Sequence, residues 1–333
     1  MWEGEQHQDR EDGMKTNDRE NIWRRARASG APLVHTYSIV ARDAETGQFG
    51  VAVQSHYFAV GAGVTWAEAG VGAVATQAYG DPSYGKLGLD LMRAGKSASD
   101  ALAGLLAADS LREVRQVAMV DSQGQVAAHT GSITIPEAGH TVGDGFSVQA
   151  NMMLKNSVWP AMAEAYRAHK GELVDRLLCS LDAAEAEGGD IRGRQSAAIL
   201  IVEGKSTGRP WIDSVFDLRV DDAPEPLAEI RRLVSIRRAY IHQYRAGAAF
   251  ERSDLETMER EYAAAERHVG DNPEMRYWHA IALLRLNKIE EGIAMLSEIA
   301  ARDRSWIELT LRLPSMKWLS DSSVTERIRK LLK

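Results

Sequence analysis

Hydrophobic and polar positions alternate along several short stretches of the chain, beginning near residue 34. Over 36–41, three apolar residues fall on one side of an extended chain, which is the period of a β-strand. A turn-forming segment at 43–47 separates this run from a second alternating run over 49–53. The pattern therefore predicts a β-hairpin that begins at Thr36.

The rest of the first 222 residues continues this pattern, with pairs of strands followed by pairs of helices. Further strands are predicted at 71–77, 114–121, 125–130, 145–150, 197–203 and 211–220. Helices are predicted at 84–93, 97–107, 157–169 and 172–187, with Ser97 as an N-cap. Because hairpins and not single helical crossovers join the strands, the sheets are expected to be antiparallel. The predicted fold class is a layered α+β domain.

Two boundaries divide the chain of 333 residues. Residues 1–33 are polar without apolar periodicity, so we expect a flexible leader. The layered domain covers 34–222, and a small all-α domain covers 223–333.

The helical domain contains a pattern similar to a tetratricopeptide helix pair. The anchor positions are Trp278, Ala282, Ala294 and Ala301, with a turn at 287–288. Glu298 and Trp306 depart from that pattern. A small helical bundle without repeats is an equally good interpretation.

Charge and composition exclude several kinds of partner. The net charge is −7 and no large basic block occurs, which argues against nucleic-acid binding. No segment reaches the roughly 20 apolar residues of a membrane helix, and the N-terminus lacks the apolar core of a secretory signal. Cys179 is the single cysteine, which fits a reducing compartment. We expect a cytoplasmic protein that binds neither membrane nor nucleic acid.

The strong short motifs of enzymes are absent from the sequence. It has no phosphate-binding loop, no nucleophile elbow and no paired-cysteine zinc site. His56, His129 and His140 are not spaced as a ligand set, so hydrogen-bonding roles are expected for them. We predict no metal and no organic cofactor.

Thr36 is the remaining candidate for chemistry, because it is a hydroxyl residue at the head of the first hairpin and directly follows the polar leader. A threonine at the start of a strand is common, and a purely structural role is the alternative.

Residues 35–222 resemble the DUF1028 family, a family of unknown function assigned to the N-terminal-nucleophile (Ntn) hydrolase-like proteins. The resemblance is carried by HTYSIVARD (35–43), GVAVQS (50–55), WAEAGVGAVATQ (66–77), GFSVQAN (145–151), GGDIRGRQSAA (188–198) and DLRVDD (217–222). It implies a four-layer αββα sandwich. The C-terminal region resembles either tetratricopeptide helices or the peptidoglycan-binding region proposed for some relatives.

The opening segment is also similar to the start of the catalytic subunit of isoaspartyl peptidases and asparaginases. This resemblance implies that Thr36 is the nucleophile, with Ser38 as the alternative. An N-terminal threonine carries its own base, an α-amino group with a pKa of roughly 7.7–8.0. Such an amine exists only if the chain is cut after His35. Many relatives have Met directly before the threonine, whereas His35 and a leader precede it here.

The blocks that resemble DUF1028, together with the needs of an acyl-transfer site, suggest roles for five other residues. Asn151 and Gln77 would donate to an oxyanion, and Glu68 would hold a substrate amine or the new ammonium group. Asp190 and Arg192 would clamp a zwitterionic or carboxylate-bearing substrate. For each of them a structural role is the alternative.

Two functions remain open at this stage. The first is an amidohydrolase or peptidase that cleaves a small amide, an amino-acid conjugate or a short peptide, and that forms a homo-oligomer. The second is an inert αββα scaffold whose C-terminal helices bind a protein, a peptide or a cell-wall fragment.

Overall fold

The computed structural model describes residues 16–30, 33–269, 272–316, 319 and 321–332. Its strands are β1 Leu33–Val34, β2 Thr36–Arg42, β3 Phe49–Ser55, β4 Thr65–Glu68, β5 Gly72–Tyr79, β6 Arg115–Asp121, β7 Val126–Thr130, β8 Gly139–Gly143, β9 Phe146–Ala150, β10 Ser196–Val202 and β11 Ser214–Val220. Its α-helices are α1 Thr16–Ala28, α2 Gly61–Val64, α3 Ser83–Arg93, α4 Ala98–Ala108, α5 Val158–Ala168, α6 Leu173–Ala186, α7 Pro210–Asp213, α8 Pro226–Glu251, α9 Leu255–Val269, α10 Glu274–Arg285, α11 Ile289–Ala300, α12 Ser305–Thr310 and α13 Ser322–Arg329.

The strands form two antiparallel sheets. In sheet 1 the order is β1-β5-β6-β7, and β4 also pairs with β5. In sheet 2 the order is β11-β10-β3-β2-β9-β8. The hairpin predicted from Thr36 onwards is confirmed, and it places β2 and β3 at the centre of sheet 2.

Two pairs of helices cover the outer faces of the sheets. Helices α3 and α4 pack on sheet 1, and α5 and α6 pack on sheet 2, while the inner faces of the two sheets pack on each other. The predicted four-layer αββα sandwich is therefore confirmed. Because β2 and β3 lie between the facing sheet and a helical layer, almost every residue of both strands is buried.

Apolar side chains fill most of the space between the sheets. Val40, Val51 and Val53 of sheet 2 are completely buried in one cluster with Ala73 and Ala75 of sheet 1. Burying a valine side chain contributes about 1.5–3 kcal/mol relative to leaving it exposed. This cluster fixes the spacing of the sheets and so the positions of the polar residues beside it.

Several predicted details are confirmed and several elements were missed. The side chain of Ser97 caps α4 by accepting a hydrogen bond from the backbone of Asp100. The hairpin of β6 and β7 also forms where it was predicted. Strands β4 and β8 were not predicted because they are short and contain few apolar residues.

Part of the leader differs from its prediction. Residues 16–28 form helix α1, although we expected this stretch to lack regular structure. Ala26 is buried, and Ile22 and Trp23 pack on a cluster that includes Tyr79 and Leu111. These apolar positions recur at helical spacing, but the charged residues between them hide the pattern in the average composition. Residues 1–15 of the predicted leader lie outside the described residues.

The chain divides into two compact units, Met1–Arg231 and Arg232–Lys333. This boundary lies inside α8, later than the expected boundary at 222/223. The second unit is helical over its described residues.

Helices α10 and α11 of the second unit pair where the tetratricopeptide pattern placed two helices. Half of its anchor positions fit, since Ala282 is buried and Trp278 is half-buried, whereas Ala294 and Ala301 are exposed. In α11 the buried positions include Leu296 and Ile299 instead.

Candidate functional site

Thr36 lies at the start of β2, directly opposite Ser55 at the end of β3. The Thr36 hydroxyl donates a hydrogen bond to the Ser55 hydroxyl, at 3.1 Å. The Ser55 hydroxyl in turn donates to the carbonyl oxygen of His35, at 2.5 Å. A chain of two hydrogen bonds thus runs from the threonine hydroxyl to the peptide bond that precedes it.

Arg192 reaches the same carbonyl oxygen. Its Nη2 donates to the oxygen of His35 at 3.0 Å. The guanidinium is held by Asp190, whose two carboxylate oxygens accept from Nε at 3.0 Å and from Nη2 at 2.7 Å. Asp190 is itself buried, and its Oδ2 also accepts from the backbone of His56. Arg192 therefore holds a positive charge in a fixed position beside the carbonyl oxygen of the His35–Thr36 peptide bond.

Asn151 and Gln77 also lie next to Thr36, but their donors contact the carbonyl oxygen of Thr36 and not that of His35. The carbonyl oxygen of Thr36 itself accepts from the backbone of Asn151 at 3.1 Å and from Gln77 Nε2 at 3.2 Å. The side-chain amide of Asn151 lies 3.4 Å from the same oxygen. These contacts fix the main chain of Thr36.

Gln116, on β6, joins these two amides, and sequence reasoning missed it. Its Oε1 accepts from Gln77 Nε2 at 2.7 Å and from Asn151 Nδ2 at 2.9 Å. Its Nε2 donates to Ala150, Thr130 and Gly139. The three amide side chains are completely buried, so each hydrogen bond compensates the loss of water at a polar group.

Ser38 belongs to the same buried network. Its hydroxyl donates to Gln77 Oε1 at 2.6 Å and accepts from Gln149 Nε2 at 2.6 Å. Because the amide oxygen of Gln77 accepts from Ser38, the NH₂ group of Gln77 points towards Thr36. The hydroxyl of Ser38 is thus engaged in orienting two glutamines.

Glu68 is not brought to this cluster. It lies at the end of β4, opposite Gly72, whereas Gln77 is near the other end of β5. Its carboxylate binds Arg93 through both oxygens. The expected role at a substrate amine is therefore not supported by its position, because an ion pair with α3 holds it at the far edge of sheet 1.

His35 is buried against the same network. Its Nδ1 lies 2.9 Å from Asn151 Oδ1, which can only accept, so Nδ1 carries the proton. Burial lowers the pKa of His35, and the hydrogen bond to Asn151, which acts in the opposite direction, does not offset it. The imidazole is therefore neutral at neutral pH, and its Nε2 has no hydrogen-bond partner among the described residues.

The backbone next to two site residues adopts an unfavourable conformation. Ala78, directly after Gln77, has a φ of 68°, and Met152, directly after Asn151, has a φ of 58°. Residues other than glycine rarely occupy this left-handed region, and such strain tends to lie at functional sites.

A pocket of about 340 Å³ lies next to the end of β3 and the start of β10. It is lined by His56, Arg194, Gln195, Asp222, Ala223 and Pro224. The backbone of Gln195 donates to the carbonyl oxygen of Ser55, which ties the pocket to the end of β3. Thr36 is completely buried in the intact chain, so the pocket does not expose its hydroxyl.

Within the part of the chain that the structure describes, no group of three metal-ligating side chains occurs. None of the described helices is both long enough and apolar enough to span a bilayer.

The fold and the site define an αββα sandwich with a threonine at the head of a central strand. The model of DUF1028, a family of unknown function, matches residues 36–230, and the chain belongs to this family. The match begins at Thr36.

The crystal structure of protein SPO2555 from Silicibacter pomeroyi, also a DUF1028 protein, is similar to this chain. The two share 33% sequence identity with a TM-score of 0.54, over 60% of this chain and 88% of that chain. No curated protein matches the chain.

Proposed function

We propose that the protein is an amide hydrolase whose nucleophile is the hydroxyl of Thr36, and that cleavage between His35 and Thr36 activates it. The observation that carries the proposal is the pair of donors on the carbonyl oxygen of His35, one from Ser55 and one from Arg192. An acyl-transfer site requires donors at this atom, because negative charge develops there.

The first reaction is cleavage of the chain by its own threonine. The Thr36 oxygen attacks the carbonyl carbon of His35, forming a C–O bond, and the C–N bond between the two residues then breaks. The Thr36 hydroxyl proton passes to Ser55, whose own proton passes to the carbonyl oxygen of His35 and from there to the nitrogen as the C–N bond breaks. Water hydrolyses the resulting ester, which leaves a carboxylate on His35 and a free amine on Thr36.

The second reaction uses the amine made by the first. With a pKa of roughly 7.7–8.0, the α-amino group accepts the hydroxyl proton near neutral pH. Thr36 then attacks the substrate carbonyl, the amine part of the substrate leaves, and water releases the acyl group.

The contacts support a division of roles among the site residues. Asn151 and Gln77 hold the main chain of Thr36 and act as positioning residues. Arg192 and Ser55 stabilise the oxyanion, and Asp190 orients Arg192. A small amide, an amino-acid conjugate or a short peptide is the proposed substrate class, and the pocket beside His56 receives part of it.

The compartment and the assembly belong to the same proposal. The single cysteine is consistent with a reducing compartment, and we place the reaction in the cytoplasm. We also propose that the enzyme works as a homo-oligomer.

An epoxyketone probe tests the nucleophile directly, because stable labelling requires both the hydroxyl and the free amine of an N-terminal threonine. We expect one label on Thr36 in the wild-type chain and none in Thr36→Ala. Thr36→Ser keeps the hydroxyl and the amine and should still be labelled. A wild-type chain that takes no label under any condition would favour the inert scaffold.

A further inference from the structure

The residues directly before Thr36 lie along the edge of sheet 1 as an added strand. In β1, Leu33 pairs with Tyr79 and Val34 with Ala78, both antiparallel to β5. Strand β4 occupies the edge of β5 farther along, where Thr65 pairs with Ala75. The last two residues of β5 are therefore the part of this edge that β1 covers.

This strand is packed as well as paired. Val34 and His35 are both buried. Leu33 packs on a cluster that contains Tyr79, Leu111, Val114 and Ile133. Leu33 and Val34 thus lie in a groove that pairs with their main chain and has an apolar side, and His35, next to the bond to be cut, is buried beside it.

We propose that the substrates of this enzyme are peptides, whose acyl part binds in extended form along β5 at the place of Leu33–His35. The proposal rests on the proposed function, since residues before Thr36 must first be cut off and leave. The same nucleophile and the same donors serve both reactions, so the substrate carbonyl takes the place of the His35 carbonyl. The substrate residues that precede this carbonyl then follow the path of β1.

Adding a strand to an open sheet edge is a common way to recognise peptides, because main-chain hydrogen bonds supply affinity and side-chain pockets supply selectivity. The position nearest the reacting carbonyl is the one filled by the His35 side chain, where Asn151 Oδ1 accepts from the imidazole at 2.9 Å. A substrate residue whose side chain donates a hydrogen bond fits this position. Aliphatic residues such as Val and Leu fit the two positions before it.

Two fluorogenic substrates separate this proposal from a preference for small amides. Acetyl-Leu-Val-His-aminomethylcoumarin carries the whole strand, whereas acetyl-His-aminomethylcoumarin carries the reacting residue alone. We expect kcat/KM for the longer substrate to be at least about tenfold higher, because remote binding energy is used at the reacting bond. Equal values would overturn the proposal.

Tyr79→Ala provides a second readout. It removes the side chain on which Leu33 packs, so it should lower kcat/KM for the tripeptide and leave the acetyl-His substrate unaffected. Leu87→Ala, at an exposed position of α3, is the matched control and should change neither. A Tyr79→Ala enzyme that loses activity equally on both substrates would also contradict the proposal.

Each assay is run on two preparations, the full chain after incubation and a chain released from a ubiquitin fusion so that Thr36 is its first residue. Circular dichroism melting checks that the second preparation is folded. If the epoxyketone labels Thr36 but neither coumarin peptide is cleaved, the peptide proposal fails and the proposed function stands. If Thr36 is not labelled and nothing is cleaved, both fail.

Discussion

Arg192 places its guanidinium 3.0 Å from the carbonyl oxygen of His35, on the peptide bond that joins His35 to Thr36. A fixed positive charge at this atom is suited to stabilising an oxyanion, and Asp190 keeps it in place with two hydrogen bonds. The account of the protein as a self-activating hydrolase depends on this contact.

Arg192→Gln should slow cleavage between His35 and Thr36. Removing one oxyanion donor typically slows a reaction by about 10²–10³-fold. The cleavage rate of Arg192→Lys should lie between those of Arg192→Gln and the wild type. The measurement is the fraction of cut chain against time after purification at low temperature. Arg219→Gln is the control, since Arg219 is exposed and pairs only with Asp217 among the ion pairs described, and this variant should be cut at the wild-type rate. Equal rates in Arg192→Gln and wild type would exclude this role.

Ser55→Ala should also slow cleavage, by about 10²-fold, because it removes one donor from the His35 carbonyl and the acceptor of the Thr36 hydroxyl. Ser196→Ala is a matched control. Ser196 lies opposite Ser55 on β10, but its hydroxyl donates to the carbonyl oxygen of Tyr57. Gel mobility over time measures both variants, and a Ser196→Ala chain as slow as Ser55→Ala would point to general damage to the strands.

Gln116→Met should lower the free energy of unfolding by about 1–3 kcal/mol, the cost of one unsatisfied buried group. It removes the shared acceptor of Gln77 and Asn151. Gln77 Nε2 keeps the carbonyl oxygens of Thr36 and Gln149 as acceptors, whereas Asn151 Nδ2 keeps only a contact of 3.4 Å to Thr36. Urea unfolding followed by circular dichroism measures the change. Gln123→Met, at an exposed turn, should stay within about 0.5 kcal/mol of wild type.

The second unit should lose stability as the pH rises, through His279. Burial acts to lower the pKa of His279, but hydrogen bonds to Glu266 and Glu259 outweigh it and raise the pKa above 6.5. The folded unit therefore binds the proton more tightly than the unfolded chain. Its stabilisation is complete below pH 6.5 and disappears as the pH passes through the folded pKa.

The measurement is the melting temperature of wild type minus that of His279→Leu, followed against pH by tryptophan fluorescence. The difference should shrink as the pH rises. Glu259 also binds Lys288 at 3.2 Å, whereas Glu266 lies 3.8 Å from Arg276, so Glu266→Gln disturbs the weaker of the two additional ion pairs and should flatten the same dependence. A difference that grows with pH would mean that His279 is neutral in the folded unit.

The alternating pattern predicted an antiparallel, layered α+β domain because the central strands are regular, and the four-layer αββα arrangement was implied by the resemblance to DUF1028. The turn at 43–47 fixes the register of β2 and β3, and counting back from the Arg42–Phe49 pair brings Thr36 opposite Ser55. Ser55 could therefore have been found from the hairpin alone.

The remaining site residues could not be found in this way. Gln116 lies between Arg115 and the apolar run 117–120 in a strand of the other sheet, and nothing local indicates that two amides from distant segments meet at its oxygen. Glu68 was proposed from its place in a resembling block, and its pairing opposite Gly72 and its ion pair with Arg93 keep it away from Thr36. Contacts between sheets are set by tertiary packing, which periodicity does not report.

The intact mass of the purified full-length chain tests the central claim most directly. After incubation, we expect a species whose first residue is Thr36 in the wild type, and an uncut chain in Thr36→Ala. A wild-type chain that keeps its full mass after long incubation would contradict the account, as would a Thr36→Ala chain that is cut at the same bond.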